Sequence, residues 1–191
     1  MRRPSKFPSA PVLGVALLAS ALPFVGCDEF QIELLPVVDS AQLYSLARPE
    51  YTGFPSGFDF FGPTRIVVEE AKLGSVTDFD MAFSEIGGDF VMLPAGVFQS
   101  FGITPGIAPD STGAAFDEYE RAPSEGYVTA EPVIVEVGRV YAVRSRAVRL
   151  ASGPCTRYGK FEVFDLDPEG IVQFRFFRNN RCNDRLVIDN D

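Results

Sequence analysis

Two runs of alternating apolar and polar residues flank the tetrapeptide Asp167-Pro168-Glu169-Gly170 near the C-terminus. Proline suits the second position of a β-turn and glycine the fourth, so the segment predicts an antiparallel hairpin. If Leu166 faces Ile171, the numbers of every facing pair add up to 337. The numbers of Cys155 and Cys182 also add up to 337. The same register therefore places the two sulfur atoms opposite each other, and we predict a disulfide bond between them.

The residue types that this register pairs support it. Val163 faces Phe174 on one side of the hairpin, and Glu162 faces Arg175 on the other. Apolar side chains thus meet apolar ones, and opposite charges meet each other. A three-residue loop with a bulge would raise the sum to 338 and set Val163 against Arg175, which is a poorer match.

A second hairpin is predicted over residues 76–93. Phe79, Met81 and Phe83 alternate with more polar neighbours, and Gly87-Gly88 supplies the positive φ angles of a two-residue turn. Further strands are expected near Arg65 to Glu69, from Val133 to Val137, and beyond Gly138; the only predicted helix is a short one over residues 39–47. This pattern predicts an all-β fold, an antiparallel, sandwich-like single domain with a C-terminal disulfide-linked hairpin.

The N-terminus carries the pattern of an export signal. Arg2, Arg3 and Lys6 precede an uncharged apolar run from Val12 to Val25. This run covers only about 21 Å as a helix, which is too short for the ~30 Å hydrocarbon core of a bilayer. We therefore interpret residues 1–26 as a cleaved signal peptide.

The end of the apolar run resembles the lipobox of bacterial lipoproteins. In that motif small residues precede a cysteine that is lipid-modified and becomes the mature N-terminus, and Val25-Gly26-Cys27 match it. The resemblance implies lipid attachment at Cys27, although an ordinary signal peptide followed by an unrelated cysteine is the alternative. Lipid on Cys27 leaves an even pair of cysteines, as expected in an oxidising compartment. The expected location is the bacterial cell envelope, on the extracytoplasmic side of a membrane.

The predicted organisation has three parts. Residues 1–26 form the signal peptide, residues 27–38 form a tether or a first strand, and residues 39–191 form the β domain. Loss of residues 1–26 removes three of the 17 basic residues and none of the 26 acidic ones, so the formal net charge goes from −9 to −12. Such acidity argues against nucleic acid as a partner.

Residues with obvious catalytic chemistry are scarce. The chain has no histidine, which removes the commonest general base and metal ligand. Two carboxylate pairs, Asp78 with Asp80 and Asp165 with Asp167, have the spacing that places both members on one face of a strand. We interpret them as solvent-facing strand residues and a turn cap. We expect no enzymatic activity and no metal site.

Four arginines follow the acidic half of the chain and are candidates for holding an anionic ligand: Arg139, Arg144, Arg146 and Arg149. The alternative is that they form the wet face of a strand and pair with acidic residues nearer the N-terminus. The Gly/Pro-rich stretch Pro94–Gly113 is too long for a simple connection, so it is either a binding loop or a mobile one.

The order of four segments resembles the haem-scavenging lipoproteins of the HmuY type. The segments are residues 78–83, 122–127, 140–144 and 158–161. The resemblance implies a secreted or surface-anchored all-β protein that binds haem through axial histidines or methionines. Without histidine, and with only Met81 and Met92 after the signal peptide, we expect no cofactor.

Two functions are consistent with these features of the sequence. The first is a non-enzymatic domain that binds a small molecule beneath the Pro94–Gly113 stretch. The second is an envelope protein that presents a sheet face or edge to another protein. A concave pocket lined by aromatic residues beneath this stretch would favour the first function, and a flat, exposed apolar patch the second.

Overall fold

Antiparallel strands dominate the computed structural model, which describes residues 37–68, 78–99 and 104–188. In chain order the strands are β1 (Val37–Tyr44), β2 (Gly57–Asp59), β3 (Thr64–Ile66), β4 (Met81–Ile86), β5 (Asp89–Pro94), β6 (Gly106–Pro109), β7 (Val133–Ile134), β8 (Val140–Arg144), β9 (Val148–Leu150), β10 (Gly153–Cys155), β11 (Tyr158–Asp167) and β12 (Ile171–Arg178). Short 3₁₀ helices span Pro49–Tyr51, Ala95–Val97 and Phe116–Glu118. The predicted signal peptide, Cys27 and most of the predicted tether lie outside the described residues.

The strands form two five-stranded sheets and one small hairpin. The first sheet has the order β1-β12-β11-β8-β6, the second has the order β3-β2-β4-β5-β7, and β9 pairs with β10. All pairings between these strands are antiparallel. The predicted all-β, antiparallel architecture is confirmed. No helix among the described residues is both long and apolar enough to cross a bilayer.

The main core lies between the inner faces of the two sheets. Phe58 of the second sheet packs edge-on against Phe174 and Phe176 of the first, with ring centroids 5.4 and 4.9 Å apart. Tyr141 and Phe161 stack within the first sheet at 4.8 Å. Such pairs add roughly 0.5–1.5 kcal/mol each beyond the burial of their area.

The register of the β11–β12 hairpin follows the prediction only in part. Val163 faces Phe174, as predicted, but Leu166 faces Val172 and not Ile171. The register changes at Phe164, which is an extra residue on β11. The physical reason is burial: strict alternation would turn Asp165 toward the core, whereas the bulge places Leu166 there.

The predicted helix over residues 39–47 is wrong, because this segment is mostly β1. Ala41 and Leu43 are buried, and β1 pairs along its length with β12. The helical spacing of Leu43, Leu46 and Ala47 is outweighed by the unpaired edge of β12, whose backbone groups need partners.

The hairpin of β4 and β5 is confirmed, with Gly87 and Gly88 both at positive φ. The strand expected near Arg65 to Glu69 is β3, which pairs with β2, a strand that the prediction missed.

The predicted disulfide between Cys155 and Cys182 is present, with Cα atoms 4.9 Å apart. It lies beyond the open end of the β11–β12 hairpin, where Gly159 still faces Arg178. The 337 register therefore holds from Val163 to this end of the hairpin.

Candidate functional site

A cleft of about 440 Å³ lies beside the chain that joins β1 to β2. Its lining comprises residues 45–49 and 51–53 together with Ser56 and Val68, and we call it the β1–β2 cleft. The volume is within the range of about 300–1,000 Å³ that is usual for small-molecule sites.

Backbone hydrogen bonds hold the cleft between the two sheets. Ser45 donates its N–H to the carbonyl of Gly170 at 2.9 Å, and Leu46 donates to Phe83 at 3.0 Å. Phe83 in turn donates to the carbonyl of Ser56 at 2.8 Å. The lining is thus fixed to the β11–β12 turn on one side and to β4 on the other.

Ser56 is a buried polar residue in the mixed polar and apolar lining of the cleft. Ser56 is 3% exposed, and its Oγ has no hydrogen-bond partner among the described residues. Buried hydroxyl groups are nearly always satisfied, so such an atom beside a cleft marks a place for a water molecule or a polar ligand atom.

Arg48 is the only charged residue in the described lining. Its Nε and Nη2 donate to Oε2 of Glu85 at 3.0 and 2.7 Å, and Nη2 also donates to the carbonyl of Pro168 at 3.2 Å. The hydrogen bond and the charge of Glu85 raise the pKa of Arg48. The positive charge at the cleft therefore already has its partner.

Three aromatic rings stand beside the cleft. Tyr51 lies 5.0 Å from Tyr44 and 6.1 Å from Phe54, measured between ring centroids, and Phe54 is 47% exposed. Desolvation, followed by the charges of Glu169, Glu50 and Asp167, raises the pKa of the Tyr51 hydroxyl. The rings offer apolar contact area in negatively charged surroundings.

A second polar site surrounds Asp80, which is buried between the two sheets and is 1% exposed. Asp80 Oδ2 accepts hydrogen bonds from the N–H groups of Phe60 and Phe61 at 2.8 and 3.3 Å. Its Oδ1 accepts from the N–H of Arg146 at 2.7 Å and lies 3.3 Å from Arg146 Nη1. Arg146 Nη1 also donates to Asp59 Oδ1 at 2.8 Å.

We call Asp59, Asp80 and Arg146 the Asp80 cluster. Burial raises the pKa of Asp80 to about 7, against the opposing effects of the Arg146 charge and of the N–H donors. Asp59 belongs to β2 and Asp80 precedes β4, whereas Arg146 follows β8. The cluster therefore joins the second sheet to the first.

Two further arginines converge beside this cluster. Arg157 and Arg178 both donate through Nη1 to the carbonyl of Phe61. Burial, and then the charge of Arg157, lowers the pKa of Arg178 to about 10. The Nε atoms of both arginines are buried without a hydrogen-bond partner among the described residues. These contacts fix the loop after β2 to the residue before β11 and to the last residue of β12.

The predicted carboxylate pairs do not share a role. Asp78 is exposed while Asp80 is buried, so the prediction that both face solvent is wrong for Asp80. The ion pair with Arg146 and the hydrogen bonds from the backbone N–H groups of Phe60 and Arg146 offset part of the cost of burying Asp80. Asp167 caps the turn by accepting the N–H of Glu169 at 2.8 Å, as predicted. Asp165 is exposed and accepts a hydrogen bond from Gln173.

The four candidate arginines do not form one anion site. Arg139 pairs with Glu136, and Arg144 donates to the carbonyl of Thr104 and lies over the ring of Tyr127. Arg146 pairs with acidic residues nearer the N-terminus, which was the alternative prediction. Arg149 is exposed on β9.

The Pro94–Gly113 stretch contains a 3₁₀ helix and β6, which pairs with β8 at the edge of the first sheet. A cleft of about 440 Å³ lies at its end, against residues 136–140. The described lining of this cleft contains no aromatic residue. It therefore differs from the aromatic-lined pocket that was expected if a small molecule binds beneath this stretch.

Met81 and Met92 are both fully buried in the main core. They face the inner side of the second sheet, on β4 and β5, and neither lines the β1–β2 cleft or the cleft beside residues 136–140. Among the described residues, no group of three or more His, Cys, Asp or Glu side chains could hold a metal ion.

Sequence reasoning missed the β1–β2 cleft. Arg48 and Glu85 are 37 positions apart, so no local motif marks their pairing. A usable signal was the Gly/Pro-rich segment from Pro49 to Gly57, which predicts an irregular surface segment between two strands.

Comparison with known proteins adds no assignment: no protein-family model and no curated protein matches the chain.

Proposed function

We propose that the chain is an exported lipoprotein, anchored through Cys27, whose β domain binds a small molecule without catalysing a reaction. The observation that carries the binding function is the β1–β2 cleft, which combines the aliphatic side chains of Leu46 and Val68 with the unpaired hydroxyl of Ser56. The described lining contains two serines, Ser45 and Ser56, which could act as nucleophiles only with a general base beside them. It contains no carboxylate or amine that could be this base. This arrangement suits noncovalent binding.

The anchor is supported by the signal pattern and by the use of the other two cysteines in a disulfide. Two or three acyl chains would give stable attachment, whereas a single chain is marginal. Intact mass measurement of the membrane-extracted protein tests this directly. A diacylglycerol-modified chain beginning at Cys27 is expected, and an unmodified mature chain would refute the anchor.

The binding function is tested by NMR on the ¹⁵N-labelled Cys27→Ser protein, which cannot receive the lipid. Titration with monosaccharides, amino acids, nucleosides, short alcohols and aromatic amines should shift amide signals between Ser45 and Ser56 for at least one class. The absence of shifts in this segment for all classes would reject the cleft as a binding site. A separate titration with haem should produce no shifted Soret band.

An envelope interaction module is the second candidate. Two large apolar side chains on the second sheet support it, Ile86 at 48% and Ile134 at 54% exposure. Ile134 lies on β7, the two-residue edge strand of that sheet. Cross-linking in intact cells from a cysteine introduced at Ile134 should capture one defined partner if this function is correct, whereas Ser111→Cys serves as an exposed control.

A further inference from the structure

We infer that the β1–β2 cleft selects an uncharged or cationic organic ligand over an anionic one. This inference rests on the proposed binding function and specifies its ligand class. It depends on how the charge of Arg48 is used, on the acidic residues nearby and on the aromatic rings.

Arg48 is the residue that would attract an anion, and the structure engages it elsewhere. Two of its nitrogens donate to one carboxylate oxygen of Glu85, and Nη2 also donates to Pro168. An anionic ligand would have to compete with Glu85 for the guanidinium group. A ligand without negative charge leaves this ion pair intact.

Among the residues that the structure describes, the charged groups other than Arg48 and Glu85 that act on Arg48 and Tyr51 are all carboxylates. Glu50 adjoins the lining and interacts with both Arg48 and Tyr51, and Glu169 and Asp167 lie close enough to act on Tyr51. These groups are solvent-exposed or half-exposed, so salt screens their effect. The whole chain also carries a formal net charge of −9, which repels anions at longer range.

The neutral contacts of the cleft suit a ligand with an apolar body. Leu46, Pro49 and Val68 supply aliphatic surface, and Tyr51 supplies a ring whose face attracts a cation. The hydroxyl of Ser56 is buried behind the surface of the cleft. Once its side chain turns toward the cleft, it can accept a hydrogen bond from an amine or alcohol, or donate one to an alcohol oxygen. An amine or alcohol on an aromatic or aliphatic framework meets all of these requirements.

The experiment compares three probes of similar size: 2-phenylethylamine, 2-phenylethanol and phenylacetate. Each is titrated into the ¹⁵N-labelled Cys27→Ser protein at about 20 mM and about 300 mM salt. The amine and the alcohol should bind about tenfold more tightly than phenylacetate at low salt, with shifts at residues 45–56. The advantage of the amine over the alcohol should shrink at high salt.

Glu85→Gln provides the sharpest variant, because it removes the partner of Arg48 and leaves the positive charge in the cleft. The preference should then move toward phenylacetate by about tenfold. Glu131→Gln makes the same change in charge just before β7, at the edge of the second sheet opposite β3, and should leave the ranking unchanged. Ser56→Ala should weaken 2-phenylethanol binding by about three- to tenfold.

The outcomes separate the two proposals. If phenylacetate binds the unmodified cleft as tightly as the amine or more tightly, the ligand class is wrong while the binding function stands. If none of the three probes shifts residues 45–56, this ligand class is rejected as well, and the wider panel of compounds then decides whether the cleft binds any small molecule. The ranking in the unmodified protein decides the ligand class even if Glu85→Gln fails to fold.

Discussion

Asp80 Oδ1 accepts a 2.7 Å hydrogen bond from the backbone N–H of Arg146, a residue 66 positions further along the chain. Through this contact, a carboxylate next to β4 is joined to the segment that follows β8. The contact thus joins the two sheets at a buried position.

Replacement of Asp80 by Ala should destabilise the domain by about 3–5 kcal/mol. The change removes the acceptor for the buried N–H groups of Phe60 and Arg146, and it removes one of the two carboxylates that pair with the Arg146 guanidinium. Urea denaturation measures the loss as a lower midpoint with an unchanged slope. Asp89→Ala, at an exposed position of β5, should change stability by no more than ~0.5 kcal/mol. Equal stability of the two variants would contradict a structural role for Asp80.

The stability of the domain should fall as the pH rises from about 4 to about 7. The pKa of Asp80 is raised from 3.8 to about 7 in the folded protein, so between these values the folded state holds a proton that the unfolded state has lost. The stabilising contribution is complete below about pH 4 and is lost as the pH passes 7. Its size is on the order of a few kcal/mol.

Urea midpoints at pH 5 and pH 7.5 measure this dependence, with Asp80→Asn as the matched variant. Asp80→Asn should be less stable overall but nearly independent of pH over this range. The range avoids Lys160, whose pKa is lowered to about 8 by burial and whose effect on stability has the opposite sign. A wild-type protein that is more stable at pH 7.5 than at pH 5 would contradict the prediction.

Removal of the disulfide by the double change Cys155→Ser and Cys182→Ser should cost about 3–4 kcal/mol. The bond links residues that are 27 positions apart, and in the chain-entropy model it restricts the unfolded state accordingly. For the wild-type protein, reductant should lower the free energy of unfolding by the same amount as the double change does. The stability of the double variant should not respond to reductant. A reductant effect in the double variant would assign the stabilisation to another cause.

Gly170→Ala should destabilise the domain by about 1–2 kcal/mol. Gly170 has a φ of 88°, and a Cβ atom there would lie 3.1 Å from Ser45 Cβ. Gly62→Ala is the control, because its φ is ordinary and the nearest atom to an added Cβ lies at 3.4 Å. Thermal unfolding compares the two variants. If they melt at the same temperature, the turn is not constrained as described.

Sequence reasoning succeeded where the interacting residues are close in the chain. The strands of the C-terminal hairpin are separated by a single turn, so facing residues such as Glu162 and Arg175 could be paired by counting. The alternation of Met81 and Phe83, which both lie in the main core, likewise revealed β4, because half of a strand that packs on a core must be apolar. Phe79, which the same pattern included, precedes the strand and packs in a separate cluster with Val68, Ala82 and Ala95.

The same reasoning failed where the partner is distant. Asp59, Asp80 and Arg146 come from three separate segments, so no spacing predicts that Asp80 is buried rather than exposed. The helix predicted over residues 39–47 is wrong for the same reason, because the edge of β12 that stabilises β1 lies more than 120 positions away. The β1–β2 cleft depends on both sheets and could not be recognised from either alone.

The extra residue at Phe164 has a consequence for changes in chain length. Val163 faces Phe174 and Asp165 faces Gln173, so consecutive residues of β12 pair with the two neighbours of Phe164, and Phe164 itself has no partner on β12. Deletion of this single residue would leave a regular ladder with the same inward and outward sides. Insertion or loss of one residue elsewhere in β11 would instead turn half of the strand inside out, so length variation among natural relatives of this hairpin should concentrate at position 164.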